Sequence, residues 1–207
     1  MTEFYHARQR ELQDRFETRR LADKVNELII HDTIMDEDRE FIESRDMFFL
    51  STVNPDGWPT CSYKGGDPGF VRVVDEKTIA FPSYDGNGMF MSMGNMSATS
   101  KVGILFLNFE EPHRLRLHGT ATVHTEDELL NEYHEAELIV RVRVENLFIN
   151  CPRYIHRFKK IEHSVYVPKQ ACETPLPDWK MLEPVQEVLS EGDRERVRKR
   201  LAEKQDD

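Results

Sequence analysis

The chain has 207 residues, 39% of them hydrophobic, with twelve Phe, six Tyr and two Trp, a supply that fits one real core with terminal extensions and argues against disorder throughout. Acidic residues outnumber basic ones, 38 against 28, for a net charge of −10; nucleic-acid and anionic-membrane binding rest on Lys and Arg meeting phosphates, so neither partner is expected. Three cysteines without a CxxC pair, an N-terminus charged from its third residue, and no run near the ~20 apolar residues of a membrane helix read as a soluble, cytoplasmic protein.

Residues 4–30 read as helix, because Phe4, Phe16, Leu21, Val25 and Leu28–Ile30 recur at helical spacing among charges, a stripe suited to packing on the domain that comes after it. A short second helix is predicted over 36–45, capped by Asp36 or Asp32, with Phe41 and Ile42 turned inward. From Met47 the pattern becomes extended. MFFLSTV (47–53) and WPTCSYK (58–64) flank Asn54-Pro55-Asp56-Gly57, where Pro presets φ and Gly supplies the positive φ that closes a hairpin. FVRVV (70–74) and TIAFP (78–82) come next, joined by Asp75-Glu76-Lys77. GNGMFMSMGNMS (86–97) reads as a helix opened by a Gly-Asn-Gly turn. KVGILFLNF (101–109) is apolar on both faces and should be buried on both. HRLRLHGTATVH (113–124) sends Leu115, Leu117, Ala121 and Val123 one way and Arg114, Arg116, His118 and His124 the other. TEDELLNEYHEAE (125–137) reads as a further helix with Thr125 and Glu128 at capping-box spacing, and LIVRVRV (138–144) alternates again.

Six or so strands in one block, not alternating with helices, predict a mainly β fold, an antiparallel barrel, and exclude a βαβ arrangement. The implied division is a helical extension over 1–45, a barrel domain over 46–167 and a tail over 168–207. Pro168, Pro175, Pro177 and Pro184 break that tail before a mixed-charge helix.

Three segments carry possible chemistry. Lys64-Gly65-Gly66-Asp67-Pro68-Gly69 lies between strands; its glycines either bend the barrel or let a ligand approach bare backbone, and the order of residues is not a Walker loop. In FPSYDGNGMFMSMGN (81–95) a strand runs through Gly86-Asn87-Gly88 into a helix, whose unpaired N–H groups and dipole make an anion site, although Asn87 also serves as a plain cap. Lys64 would supply the cation if its strand lies beside this turn, with Ser62 and Ser83 adding hydroxyls. In Asn150-Cys151-Pro152-Arg153-Tyr154-Ile155, Arg153 either forks onto a phosphate or carboxylate or covers apolar surface. His118 and His124 share a strand face, but no HxH, HExxH or GxSxG spacing occurs, so neither a metal site nor hydrolysis is predicted.

Taken together, MFFLSTVNPDGWPTCSYKGGDPGFVRV, TIAFPSYDGNGMFMSMGN, KVGILFLNFEEPHRLRLHGTATV and NCPRYI resemble the pyridoxamine 5'-phosphate oxidase-like family, in a bacterial branch rather than the vitamin B6 enzymes, from about Phe41 to Ile155. The resemblance implies a six-stranded FMN-binding split barrel and a homodimer with FMN at the interface. It implies ribityl and phosphate contacts from Ser62 and Lys64, and isoalloxazine contacts from Pro82, Ser83 and Tyr84. Asn87, Gly88 and Met89 would face the phosphate, and Asn150 and Arg153 would reach a flavin edge, the partner's being one option. Many relatives carry Arg or Lys where this chain has Gly88 and Met89, and each such cation is worth about 1.5–3 kcal/mol as a charge-assisted bond. Backbone amides, Lys64 and Arg153 then compensate, or the cofactor is the deazaflavin F420 or haem, which other members bind. The Arg-His clamp of the B6 enzymes is not evident near Trp179. The expected activity is an FMN-dependent oxidoreductase working between NAD(P)H and a small organic acceptor. The alternatives are a flavin carrier or redox sensor without turnover, and a haem protein using His118 or His124. No side chain is required as acid or base, with Tyr84, His118 and Arg153 the candidates if one acts.

Overall fold

The computed structural model describes residues 4–203; the first three positions, part of the charged N-terminus, and the last four, the end of the final predicted helix, lie outside it. Two compact units form, the larger ending at Lys160 and the smaller beginning at Ile161. In the larger unit the extended segments pair as one antiparallel sheet: β1 (Met47–Val53), β2 (Pro59–Gly65), β3 (Arg72–Asp75), β4 (Thr78–Tyr84), β5 (Lys101–Asn108), β6 (His113–His124) and β7 (Ala136–Ile149). Its order is β2-β1-β5-β6-β7-β4-β3. Seven strands form where six or so were expected; each segment read as extended pairs in the sheet, FVRVV (70–74) supplying the four-residue β3 at its edge.

The sheet is open, since its edges β2 and β3 do not pair with each other, yet it is strongly curled. The rings of Phe48 on β1 and Phe81 on β4 meet at 4.9 Å, although four strand steps, about 19 Å in a flat sheet, separate the two strands. The inner face therefore wraps around one core, where Phe48, Phe81 and Phe106 are fully buried among Leu50, Ile104, Leu117 and Val142. The alternation read in β6 places Leu115, Leu117 and Ala121 in that core. On β5, Val102, Ile104 and Phe106 are buried, whereas Leu105 and Leu107 are only half-buried, so the second face predicted to be covered is partly open.

The helices depart more from expectation. The single helix over 4–30 is two, α1 (Ala7–Arg15) and α2 (Arg19–Ile29), broken where Glu17 takes a left-handed φ of 57° and the Thr18 amide closes on the Gln13 carbonyl at 2.8 Å. Neither helix has a buried residue, and Leu21 and Leu28 are exposed; of the predicted stripe Phe4 meets the sheet, edge-on to Phe148 of β7 at 5.7 Å. α3 (Asp36–Glu43) is capped at Met35 instead of Asp36 or Asp32, because the Asp38 carboxylate accepts the Met35 amide at 3.0 Å and is held by His31 at 2.8 Å. α4 (Met91–Thr99) starts five residues later than predicted, and the helix over 125–137 shrinks to a 3-10 turn at Glu128–Glu132. There Asp127, gripped by Arg141 at 2.7 Å, takes the Leu129 amide at 3.0 Å, displacing the Thr125–Glu128 box.

The smaller unit contains a 3-10 turn at Asp178–Met181, α5 (Glu183–Gln186) and α6 (Glu191–Glu203), packed around Leu176, Leu189 and Val197. The buried Lys180 ammonium donates to both carboxylate oxygens of Asp193 at 2.9 Å. Among the described residues no helix is long and apolar enough to cross a membrane.

Candidate functional site

Period-two alternation turns Thr60, Ser62 and Lys64 of β2 to one side and Cys61 and Tyr63 to the other. α4 lies on the first side, seated by hydroxyls. Thr52 and Thr60 share a bond of 2.8 Å, the Asn95 amide donates to Thr52 at 3.0 Å, and the Ser62 and Ser92 hydroxyls lie 3.1 Å apart. This line of polar contacts ends at Lys64. Its half-buried ammonium makes no hydrogen bond or ion pair among the described residues, and burial alone pushes its pKa below the ordinary lysine value.

The second wall is the end of β4. Pairing with β3 stops at Ala80, so Pro82, which has no N–H to give, sits where only β7 runs alongside. Ser83 faces Leu138 but Tyr84 faces Ala136, leaving Glu137 as the extra residue of a β-bulge. Burial, with Tyr133 and Asp67 adding to it, pushes the Tyr84 hydroxyl up to about 12, so it is neutral at physiological pH.

The third wall is the turn into α4. The Asn87 side-chain oxygen accepts the Met89 amide at 3.1 Å, Gly88 takes a φ of +75°, and Phe90, also left-handed at 48°, caps the helix without a side-chain bond. The first-turn amides of α4 have no helical acceptor of their own. The three walls enclose a cavity of about 230 Å³.

Of the residues predicted from sequence, Ser62, Lys64, Ser83, Tyr84, Asn87, Gly88 and Met89 line this cavity together. Asn87, Gly88 and Met89 stand before the helix and not within its start, because the left-handed Phe90 delays the first turn to Met91. Pro82 is buried in β4 and does not line it. Asn150 and Arg153 also lie away from this chain's cavity: the Asn150 side-chain oxygen is buried with no partner among the described residues, and the exposed Arg153 guanidinium stands 5.7 Å from the Tyr154 ring centre. His118 packs edge-on against Phe148 at 5.4 Å, its pKa pushed down by burial and then by Arg116; His124 meets the Thr122 hydroxyl at 2.7 Å. Neither lines the cavity.

Sequence reasoning misses Phe90, Met91, Ser92 and Glu137, which also line it. Ser92 is legible as a hydroxyl in the segment, but the predicted helix puts it well inside and away from the opening turn. Nothing in the 125–144 stretch signals the bulge that turns out Glu137.

The family model described as pyridoxamine 5'-phosphate oxidase matches residues 34–150, more than half of the chain. No curated protein matches it. Among solved structures, HupZ of Group A Streptococcus is 21% identical with a TM-score of 0.47, the match covering 56% of this chain and 93% of that one. An FMN-binding protein from Syntrophomonas wolfei is 11% identical with a TM-score of 0.46, covering 68% and 97%. HutZ, the heme storage protein from Vibrio cholerae, is 18% identical with a TM-score of 0.43, covering 56% and 94%.

Proposed function

Because the chain belongs to the pyridoxamine 5'-phosphate oxidase family, we propose that it is a cytoplasmic split-barrel flavoprotein that holds FMN with the phosphate at Lys64. In this reading it is an oxidoreductase serving a nicotinamide nucleotide and a small organic acceptor. The observation that carries the reading is the half-buried ammonium of Lys64, left without a carboxylate beside hydroxyls and first-turn amides. An uncompensated buried cation is costly unless an anion meets it, and this donor-rich end suits a phosphate.

The cavity's size supports a second copy. Small-molecule sites usually run from about 300 to 1,000 Å³, and about 230 Å³ is enough only for part of FMN. A homodimer would complete the site, burying Leu105 and Leu107 on β5 and bringing Asn150 and Arg153 to the partner's flavin.

When bound, FMN supplies two-electron redox chemistry, so that the nicotinamide nucleotide loses a hydride and the acceptor gains two electrons and two protons, one of them from water. The chain's own residues bind and orient. Lys64 and the Ser62–Ser92 pair hold the phosphate, Ser83 and its backbone flank the ring, and Tyr84 stays neutral as a donor. A flavin carrier or redox sensor without turnover is the second reading, which the same phosphate-holding residues would serve.

The absorption spectrum of the purified protein, with mass analysis of what the denatured sample releases, tests the reading. Flavin bands with the FMN mass are expected; a Soret band would assign haem, and a deazaflavin mass F420. Lys64→Ala is expected to weaken FMN retention at least ~10-fold, the scale of one charge-assisted bond, and unchanged retention would move the phosphate elsewhere. Reduction by NADH or NADPH and then reoxidation separates the enzyme from the carrier.

A further inference from the structure

The family match ends at residue 150, and the smaller unit, which begins at Ile161, holds a cavity of its own of about 270 Å³. Spacing of i, i+3 and i+4 puts Arg196, Lys199 and Arg200 on one face of α6, and all three line this cavity together with residues 173–176. Two of the cations are fixed in place. Arg196 donates to the Thr174 carbonyl and Arg200 to the Leu176 carbonyl, each at 2.6 Å, and their side chains are only 30% and 31% exposed. A guanidinium carries five N–H donors, so these backbone bonds leave most of them for another acceptor.

Among the lining residues three cations face one carboxylate. Glu173 stands 3.5 Å from Arg196 and 3.3 Å from Lys199, beyond the ~2.7–2.9 Å of a charge-assisted bond, so it spans both and closes on neither. Asp178 meets Arg200 at 2.7 Å from outside the lining and is 84% exposed. The lining thus carries an excess of two positive charges, which matches the roughly −1.5 to −2 of a phosphate monoester with its three acceptor oxygens. We infer that the smaller unit binds a small phosphate-bearing molecule between Arg196, Lys199 and Arg200, and that Glu173 is the internal anion this ligand displaces. Sites for drug-sized ligands start near ~300 Å³, so the cavity suits a phosphate with a few carbons better than a nucleotide.

Calorimetric titration of the whole FMN-loaded chain, with Lys64 already occupied, against inorganic phosphate and against glycerol 3-phosphate tests this. Protein that holds no flavin is titrated as Lys64→Ala instead, so failure of the flavin reading leaves this measurement intact. Saturable binding is expected for both probes; tighter glycerol 3-phosphate assigns a phosphate monoester, and equal affinity assigns free phosphate. Glu173→Gln removes the competing charge and should tighten binding about three- to fivefold, the scale of an exposed ion pair, whereas a purely structural carboxylate would leave affinity unchanged. Lys199→Gln should weaken binding by about the same factor; Lys199 is 64% exposed, so α6 stays docked and the circular dichroism spectrum should not move. Phosphate held by converging donors should also survive about a tenfold excess of chloride, which only screens. Absence of saturable binding, its abolition by chloride, or a Glu173→Gln protein that binds no better overturns the inference.

Discussion

Lys64 reaches the cavity through nothing more than strand alternation: Ser62, two residues before it, points the same way, and Tyr63 between them points out. That much is legible in YKGG and its neighbours. Its chemical setting is not, since it depends on α4 and the end of β4 meeting β2 without bringing a carboxylate to the ammonium. Burial lowers its pKa from the ordinary value of about 10.4, so the charge is lost sooner on the alkaline side than from an exposed lysine. A phosphate bound there needs the charged form and raises the pKa in turn. FMN retention should therefore fall as pH rises through the lysine's titration, whereas Lys64→Arg should hold retention flat over the same range. Fluorescence of released flavin against pH reads the difference, and parallel curves for the two proteins would remove Lys64 from the phosphate. At φ +75° a side chain at Gly88 is strained, so the backbone itself resists the Arg or Lys that the family resemblance leads one to expect there.

At the scale of elements, strands are easier to read than helices because a buried face imposes period two on the sequence. α1 and α2 run together in the sequence because no glycine or proline marks Glu17, where the break falls. The 3-10 turn at Glu128–Glu132 is overestimated for a different reason. Its cap is decided by Arg141, fourteen residues from Asp127 and on another element, so no local pattern announces it. Asp127→Ala should cost about 1–2 kcal/mol in a denaturant titration, the value of a lost cap, with the ion pair adding to it. The Asp127 carboxylate lies below the usual aspartate value, because Arg141 bonds to it. Its stabilisation is thus complete above the ordinary value of about 3.9 and lost as pH falls through the lowered one. The gap between the unaltered protein and Asp127→Ala should accordingly close in acid. A gap that persists there would leave the loss to packing around Leu129 and Tyr133.

For the whole molecule, fold class comes from composition and from strand segments gathered in one block. The total of six or so falls short by one although every segment, β3 included, is legible as extended, and the curl of the sheet shows only when Phe48 and Phe81 are seen to touch. The cavity and all seven strands belong to the unit that ends at Lys160, and the next residue, Ile161, is 96% exposed. Limited proteolysis should cut just beyond Lys160 and leave a fragment that keeps its strand signature in circular dichroism and its FMN. A fragment that unfolds or sheds flavin on cleavage would show that the remainder is needed for either.

The bulge between Ser83 and Tyr84 gives the site an unusual genetic fragility. Dropping the single codon for Glu137 would let β7 run beside β4 in unbroken step. One carboxylate of the cavity's lining would vanish with it. Site and scaffold would then be inherited separately, since a change of one residue reaches the cavity's lining and leaves the core face of the sheet in place.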